Sequence, residues 1–128
     1  MLIKRFEDLE VWKNSRLLSQ KVREISINSH LSKDYALKDQ ISRSIGSVMD
    51  NIAEGFERDG KKEFIQFLYI AKGSLGETRS QLARCFDAKY ITEEQSTDLM
   101  NDCLNLSGQI KKFINYLSSS EIQGNKKR

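Results

Sequence analysis

A catalytic or metal centre that depends on histidine would have to use His30, because it is the only histidine among 128 residues. A di-iron site in a helical protein needs several inward carboxylates together with Glu-x-x-His pairs, and a Ser/His/Asp set needs a histidine beside its nucleophile. The segment Gly73-Ser74-Leu75-Gly76 resembles a phosphate-binding loop, but no strand precedes it and no Gly-Lys-Ser/Thr follows it. We therefore expect no catalytic residue, no metal site and no cofactor.

Lysines and arginines offer a different chemistry, which is the binding of phosphate groups. The candidates are Lys13, Arg16 and Arg23, which share one side of the first predicted helix, and Lys126, Lys127 and Arg128 at the end of the sequence. Such groups bind the backbone of RNA or DNA in a salt-dependent way, and an oligomer would multiply their effect. The net charge of +3 is too small to predict nucleic-acid binding by itself. The alternative, in which these residues only keep the protein soluble, stays open.

The segment from Gln40 to Gly55 carries two rows of side chains at helical spacing. The apolar row consists of Leu37, Ile41, Ile45, Val48 and Ile52. The polar row has a counterpart on the third predicted helix, and we expect the two rows to form a structural network of Gln40, Arg43, Ser44, Asn51, Glu54, Ser74 and Glu77. Folding these helices against each other brings Arg43 level with Glu77, so we predict an ion pair that fixes the helix register. The alternative is a flank that faces solvent.

Small and apolar residues also occur on the backs of the second and third helices. They are Gly46, Met49 and Ala53 on the second, and Ile65, Tyr69, Gly73 and Gly76 on the third. Exposed rows of this kind are a liability in water, so we predict that they form a subunit interface in a homo-oligomer. The alternative is that they are ordinary scattered apolar residues on a protein surface.

The elements that carry these rows are predicted to be four long helices, since proline is absent. Their approximate ranges are 7–27, 34–55, 61–88 and 92–118. The second helix is expected to end at Gly55 or just after it, with Gly55 as a left-handed C-terminal residue. Thr92 with Gln95 forms a capping box at the start of the fourth helix. Such helices with short loops pack as an all-α, antiparallel up-down-up-down four-helix bundle. We assign residues 1–118 to this bundle and 119–128 to a flexible basic tail.

The expected location of the protein and the redox state of its cysteines depend on whether the sequence contains a signal peptide or a membrane span. The N-terminus has no apolar leader, and no run approaches the roughly 20 apolar residues that a membrane span requires. We expect a cytoplasmic protein with no membrane partner. The two cysteines, Cys85 and Cys103, are therefore predicted to be reduced residues of the core.

Three motifs occur in order along the chain. They are Phe6-x-x-Leu9-x-x-Trp12, then Gln40-Ile41-x-Arg43-Ser44 with Asn51-Ile52-Ala53-Glu54-Gly55, and finally Phe64-x-x-Phe67-Leu68-x-x-Ala71-x-Gly73-Ser74-x-x-Glu77. With these motifs the chain resembles, from about Phe6 to Leu117, the four-helix-bundle proteins encoded by intervening sequences in bacterial large-subunit ribosomal RNA genes. A more distant resemblance is to the accessory variability determinant protein of diversity-generating retroelements.

This resemblance implies a homopentamer of four-helix protomers with a basic surface that binds RNA or DNA. We accordingly expect a non-enzymatic oligomer that binds nucleic acid. The alternative is a protein-interaction scaffold whose partner is another protein, for example an accessory subunit of a reverse-transcriptase complex, as the retroelement relatives imply. A loss of binding with added salt would distinguish the first function from the second.

Overall fold

The structure, a computed structural model, describes residues 3–119. Four α-helices form an antiparallel up-down-up-down bundle, and no strand occurs in this part of the chain, as the sequence predicted. The helices are α1 (Glu10–Asn28), α2 (Tyr35–Glu57), α3 (Lys61–Asp87) and α4 (Glu93–Ser118), with short 3-10 helices at Phe6–Asp8 and His30–Lys33. The predicted tail lies outside the described residues from position 120 onward, and so do its basic residues Lys126, Lys127 and Arg128. Within the described range, no helix is long and apolar enough to cross a membrane.

Side chains at the helix ends explain where two helices begin. Asp34 accepts a hydrogen bond of 3.2 Å from the backbone amide of Leu37, which satisfies one free donor at the start of α2. Thr92 and Gln95 form the predicted capping box, with reciprocal hydrogen bonds of 3.0 Å and 2.9 Å between side chain and backbone. These local signals position both helices before any tertiary contact is considered.

The interior of the bundle confirms the predicted apolar row of α2. All five residues are buried, with at most 3% of the surface of any one exposed. At the end of the bundle where α2 meets α3, the rings of Phe56, Phe64 and Phe113 make edge-to-face contacts with centroids 5.9 Å and 5.5 Å apart. Burying a phenylalanine side chain fully stabilises the folded state by about 1.5–3 kcal/mol relative to leaving it exposed to water. Phe86, on the last turn of α3, is 40% exposed.

Gly55 has a different role from the predicted one. It lies inside α2, two residues before the helix ends at Glu57, and not in a left-handed position at its end. A Cβ atom at Gly55 would lie 2.6 Å from Cβ of Phe67 and 3.0 Å from Cδ1 of Phe64. Glycine is therefore required here because α3 packs directly against the α2 backbone.

The bundle closes between its first and last helices through polar contacts, and we call this contact the α1–α4 seam. Nζ of Lys21 lies 2.7 Å from Oδ2 of Asp102 and 3.4 Å from Oδ2 of Asp98, while the amide of Asn14 donates to Gln109 at 2.8 Å. Beside these contacts lies an open cleft of about 720 Å³, whose lining includes the exposed side chain of Leu17. The two helices are thus held at the surface by charged and amide groups.

Candidate nucleic-acid interface

The three basic residues predicted on α1 are all exposed, but they have different surroundings. Nζ of Lys13 lies 3.6 Å from a carboxylate oxygen of Glu10. The guanidinium of Arg16 stacks over the ring of Trp12, 5.8 Å from its centroid, and Trp12 itself packs on the core and against Phe6. Trp12 therefore has a structural role in the core, and its ring also supports Arg16.

Arg23 lines an open groove of about 1000 Å³ between the first two helices, which we call the α1–α2 groove. Its walls are formed by Ser19, Val22, Arg23, Ser26 and Ile27 from α1, Ser32 from the connection, and Tyr35, Ala36, Lys38, Asp39, Ser42 and Ile45 from α2. Lys13 and Arg16 lie outside this lining. The structure thus places Arg23 and Lys38 in the lining of one groove, and the sequence analysis did not select Lys38.

The charges of the α1–α2 groove are unbalanced in favour of cations. Asp39 is the one carboxylate in its lining, and its Oδ2 lies 2.9 Å from Nε of Arg43. Lys38 donates a hydrogen bond of 3.2 Å to the backbone carbonyl of Ser32, and its ammonium group lies 5.2 Å from the centroid of the Tyr35 ring. Since Asp39 is paired with Arg43, neither Arg23 nor Lys38 is neutralised by a carboxylate of the lining.

Several polar side chains of α2 and α3 form a row of hydrogen bonds between the two helices, which we call the α2–α3 seam. The hydroxyl of Ser44 lies 2.8 Å from that of Thr78 and donates to Oε1 of Gln81 at 2.6 Å. The hydroxyls of Ser47 and Ser74 are 2.9 Å apart, and the amide of Asn51 donates to the carbonyl and hydroxyl oxygens of Ser47. Of the predicted network, Ser44 and Ser74 lie in this seam, and Asn51 is connected to it through Ser47 of its own helix.

The predicted ion pair between Arg43 and Glu77 is wrong. Arg43 pairs with Asp39 on its own helix, 80% of its side chain is exposed, and Glu77 is an exposed residue of α3. The physical reason is rotation: one residue turns an α-helix by about 100°, so Arg43 cannot face α3 while Ser44 does.

Two further residues of the predicted network have partners other than the hydroxyl groups of the α2–α3 seam. Oε1 of Gln40 accepts a hydrogen bond of 2.8 Å from Arg84, which does join α2 to α3, although at the surface. Glu54 forms an ion pair of 2.6 Å with Arg58, the residue that follows the end of α2. Thr78 is fully buried in the seam and was not selected from the sequence.

The residues predicted to form a subunit interface lie on two separate flanks. The α2 row consists of Gly46, Met49 and Ala53, and each of them follows, by two residues, a residue that lies in the α2–α3 seam or is connected to it. Two residues rotate an α-helix by about 200°, so this row is turned toward the α1 side of α2. On α3, Gly76 is two residues from both Ser74 and Thr78 and is likewise turned away from the seam. The two predicted rows therefore do not form one continuous surface on a protomer.

The α3 row of the predicted interface is open on its outer side. The hydroxyl of Tyr69 accepts a hydrogen bond of 3.0 Å from Lys111 of α4, and Ile65 is half-buried against the core. A Cβ atom at Gly73 or Gly76 would meet no atom of the chain within 4 Å, and the same holds for Gly46 on α2. Within the protomer, these glycines do not serve a close approach of helices.

Ionisable groups elsewhere in the bundle have structural surroundings. The hydroxyl of Tyr90 donates to Oδ2 of Asp34 at 2.8 Å, which lowers the pKa of Asp34 and raises the pKa of Tyr90. Cys85 and Cys103 are free and buried, as predicted, and burial raises the pKa of each thiol to about 11. Among residues 3–119, no group of three or more His, Cys, Asp or Glu side chains is placed to hold a metal ion.

Comparisons with known proteins agree with this architecture. The sequence profile described as "23S rRNA-intervening sequence protein" matches residues 7–112. A crystal structure of a protein of unknown function from the S23 ribosomal protein family of Bacteroides thetaiotaomicron VPI-5482 is similar to the chain, with 26% sequence identity and a TM-score of 0.74. That similarity covers 82% of this chain and 95% of the other. The comparison with curated proteins gave no match.

Proposed function

This chain belongs to the 23S rRNA-intervening sequence protein family, and from that premise we propose that it is a non-enzymatic, homo-oligomeric protein that binds RNA or DNA through a basic surface. The surface consists of the exposed side of α1 with Lys13, Arg16 and Arg23, continued into the α1–α2 groove by Lys38. The observation that carries the proposal is the pair of cations in that groove, whose one carboxylate is already paired with Arg43. Unneutralised cations in an open groove attract a phosphate backbone.

A homo-oligomer supports the same function by repeating this basic surface. The α2 row and the α3 row lie on different flanks, so the α2 row of one protomer can contact the α3 row of its neighbour. A contact between two different faces is heterologous and closes into a ring when the rotation per subunit allows it. The pentamer implied by the family resemblance is a ring of this kind. Several copies of a weak phosphate-binding surface would then act together on one nucleic acid.

The position of the α2 row makes this arrangement compatible with binding. Gly46 comes directly after Ile45, the last residue of the groove lining, and Met49 and Ala53 lie further along α2. A neighbour seated on Gly46, Met49 and Ala53 would therefore border the α1–α2 groove at one end. Assembly would lengthen the basic surface without covering Arg23 and Lys38.

Binding is tested by titrating labelled RNA and DNA with the protein over a series of salt concentrations. We expect a double variant, Arg23→Gln with Lys38→Gln, to lose about tenfold in affinity at low salt. For a single strand, the slope of log affinity against log salt should fall by roughly 0.7 for each phosphate that the variant no longer neutralises. The matched control is Lys62→Gln with Lys112→Gln, which removes the same charge from exposed positions on α3 and α4 and should change affinity less than twofold. Absence of binding by the unmodified protein at low salt would contradict the proposal.

Assembly is tested by light scattering at several protein concentrations. We expect a mass that is a multiple of the 14.8 kDa chain. Gly73→Glu with Gly76→Glu should dissociate the oligomer, because two carboxylates would enter the heterologous contact, while the open space around both residues lets the protomer fold. Asn101→Glu with Asn105→Glu is the control, because it adds the same charge at exposed positions of α4 that are outside both predicted rows. A persistent mass near that of one chain would refute the oligomer.

One observation favours the alternative function, a protein-interaction scaffold. Tyr69 and Ile70 are large side chains of α3 that are 48% and 51% exposed, beside the open glycines of the same helix. An oligomer that forms normally but binds neither RNA nor DNA at low salt would favour this function, with α3 as the contact surface.

A further inference from the structure

Tyr35 has an exposure that packing does not account for. It is 71% exposed, the largest fraction among the exposed large hydrophobic side chains of the described residues. It occupies the first position of α2, where the Asp34 cap holds the helix start in place. A large aromatic ring in this position gains little from the hydrophobic core. The groups around it in the α1–α2 groove therefore indicate which kind of ligand it is suited to bind.

Those surroundings combine three kinds of recognition chemistry. One face of the Tyr35 ring is associated with the ammonium group of Lys38, at 5.2 Å from the centroid. Arg23 lies on the opposite wall of the same groove. Serine hydroxyl groups also line the groove, and Ser42 on α2 is an exposed one. A flat ring, two cations and hydroxyl donors in an open groove are the parts with which proteins bind single-stranded nucleic acid.

A duplex does not satisfy this set of groups. The face of a base in a double helix is covered by its neighbours, so an aromatic side chain stacks only on a base that is unpaired or displaced. A basic stripe without an aromatic ring would suit a duplex as well as a single strand. Tyr35 is therefore the feature that distinguishes the two.

We propose that the α1–α2 groove binds an unpaired nucleotide segment, with one base stacked on Tyr35 and the adjacent phosphates held by Arg23 and Lys38. This inference rests on the proposed function, because it assigns a class of nucleic acid to the same basic surface. The groove is open and has a volume of about 1000 Å³, at the upper end of the roughly 300–1,000 Å³ of ligand sites. An open groove lets the strand continue on both sides of the stacked base.

The test is fluorescence anisotropy with a labelled twelve-nucleotide oligouridine, the corresponding oligothymidine, and RNA and DNA duplexes of the same length. Tyr35→Ala should weaken binding of the unpaired strands about tenfold, in line with the contribution of one base–aromatic stack. Tyr35→Phe keeps the ring and should bind within twofold of the unmodified protein. Affinity for the duplexes should not depend on residue 35. The oligouridine and oligothymidine arms show whether the site prefers RNA or DNA.

Tyr116→Ala is the control, because Tyr116 is a half-exposed tyrosine of α4 that does not line the groove. Circular dichroism of each variant establishes that the helices are retained. If Tyr35→Ala binds unpaired strands as tightly as the unmodified protein while Arg23→Gln with Lys38→Gln loses affinity, the base-stacking site is refuted and the basic surface stands. If the unmodified protein binds neither single strands nor duplexes, the proposed function fails together with this inference.

Discussion

At the scale of single residues, the closest fit in the molecule is the contact between Gly55 and the start of α3. Four other glycines, Gly46, Gly73, Gly76 and Gly108, have open space where a side chain would be, so they are not required by packing within the protomer. Gly55 alone would place a new Cβ atom against both Phe64 and Phe67. The same residue type therefore has different structural roles along the chain.

Replacing Gly55 with alanine should destabilise the protein. The added methyl group would lie 2.6 Å from Cβ of Phe67, an atom fixed to the α3 backbone, so the helices must separate. We expect the free energy of unfolding to fall by about 1–3 kcal/mol, the usual cost of overpacking. Chemical denaturation measures this change. Gly108→Ala is the matched control, and since it meets no atom within 4 Å it should raise stability by about 0.5–1 kcal/mol through helix propensity. Equal effects of the two substitutions would contradict the packing argument.

The hydrogen bond between Tyr90 and Asp34 predicts a specific dependence of stability on pH. It lowers the pKa of Asp34 below the ordinary 3.8 and raises the pKa of Tyr90 above the ordinary 10.0. The first contribution is present above pH 3.8 and is lost as the pH falls through the folded-state pKa of Asp34. The second is present below pH 10.0 and is lost as the pH rises through the folded-state pKa of Tyr90.

We therefore expect Tyr90→Phe to be less stable than the unmodified protein by a constant amount between about pH 5 and 9. The difference should shrink at more acidic and more alkaline pH. Urea denaturation across this range measures it, with Tyr116→Phe as a control that should show no such profile. A difference that grows below pH 4 would contradict the assigned partner.

At the scale of elements, the end of α3 is the one place where the described backbone takes a left-handed conformation without glycine. Lys89 has φ 64°, its amide donates to the carbonyl of Phe86, and the amide of Tyr90 donates to that of Cys85. This pair of hydrogen bonds is the Schellman arrangement that ends many helices. It turns the chain toward α4, and glycine is the residue that adopts it without strain.

Lys89→Gly should therefore stabilise the protein. A left-handed conformation costs an L-residue roughly 1–2 kcal/mol, and the larger backbone freedom of glycine in the unfolded chain cancels part of the gain. We expect the free energy of unfolding to increase by about 0.5–1 kcal/mol, measured by thermal or urea denaturation. Lys89→Ala, which keeps the Cβ atom and removes the rest of the lysine side chain with its charge, should leave stability nearly unchanged. An equal gain in both variants would assign the effect to the loss of the lysine side chain and not to the backbone conformation.

The elements were predictable because their signals are local. Each signal depends on residues that are close in sequence: the capping box at Thr92, the apolar row of α2 and the absence of proline from every helix. The observed helix bounds lie close to the predicted ones. Partners across two helices were less predictable, because spacing gives the face of a helix but not the rotation of its neighbour. This is why Thr78 was missed and why Arg43 was assigned to Glu77. A serine on a predicted interhelical face is the signal that should direct a search for a buried hydroxyl opposite it.

At the scale of the whole molecule, the same limit applies to the candidate binding surface. The basic row of α1 is visible in the sequence because its residues share one helix. Lys38 and Tyr35 belong to another helix, and only the folded bundle places them opposite Arg23. The separation of the two predicted interface rows is also a property of the assembled bundle. It is the reason for proposing a heterologous contact between protomers.

The polar α1–α4 seam has a consequence for how the bundle opens. Its ion pairs are between a third and two thirds exposed, so each contributes at most about 1 kcal/mol and is weakened by salt. Local unfolding begins where apolar burial is least. We therefore expect backbone amides of α1 to exchange with deuterium faster than those of α2 and α3. The exchange of α1 should be faster still in high salt or after Lys21→Gln. Hydrogen exchange with mass spectrometry measures this, and equal protection of all four helices would contradict it. The helix that carries the basic row would then be the one that the bundle holds least firmly.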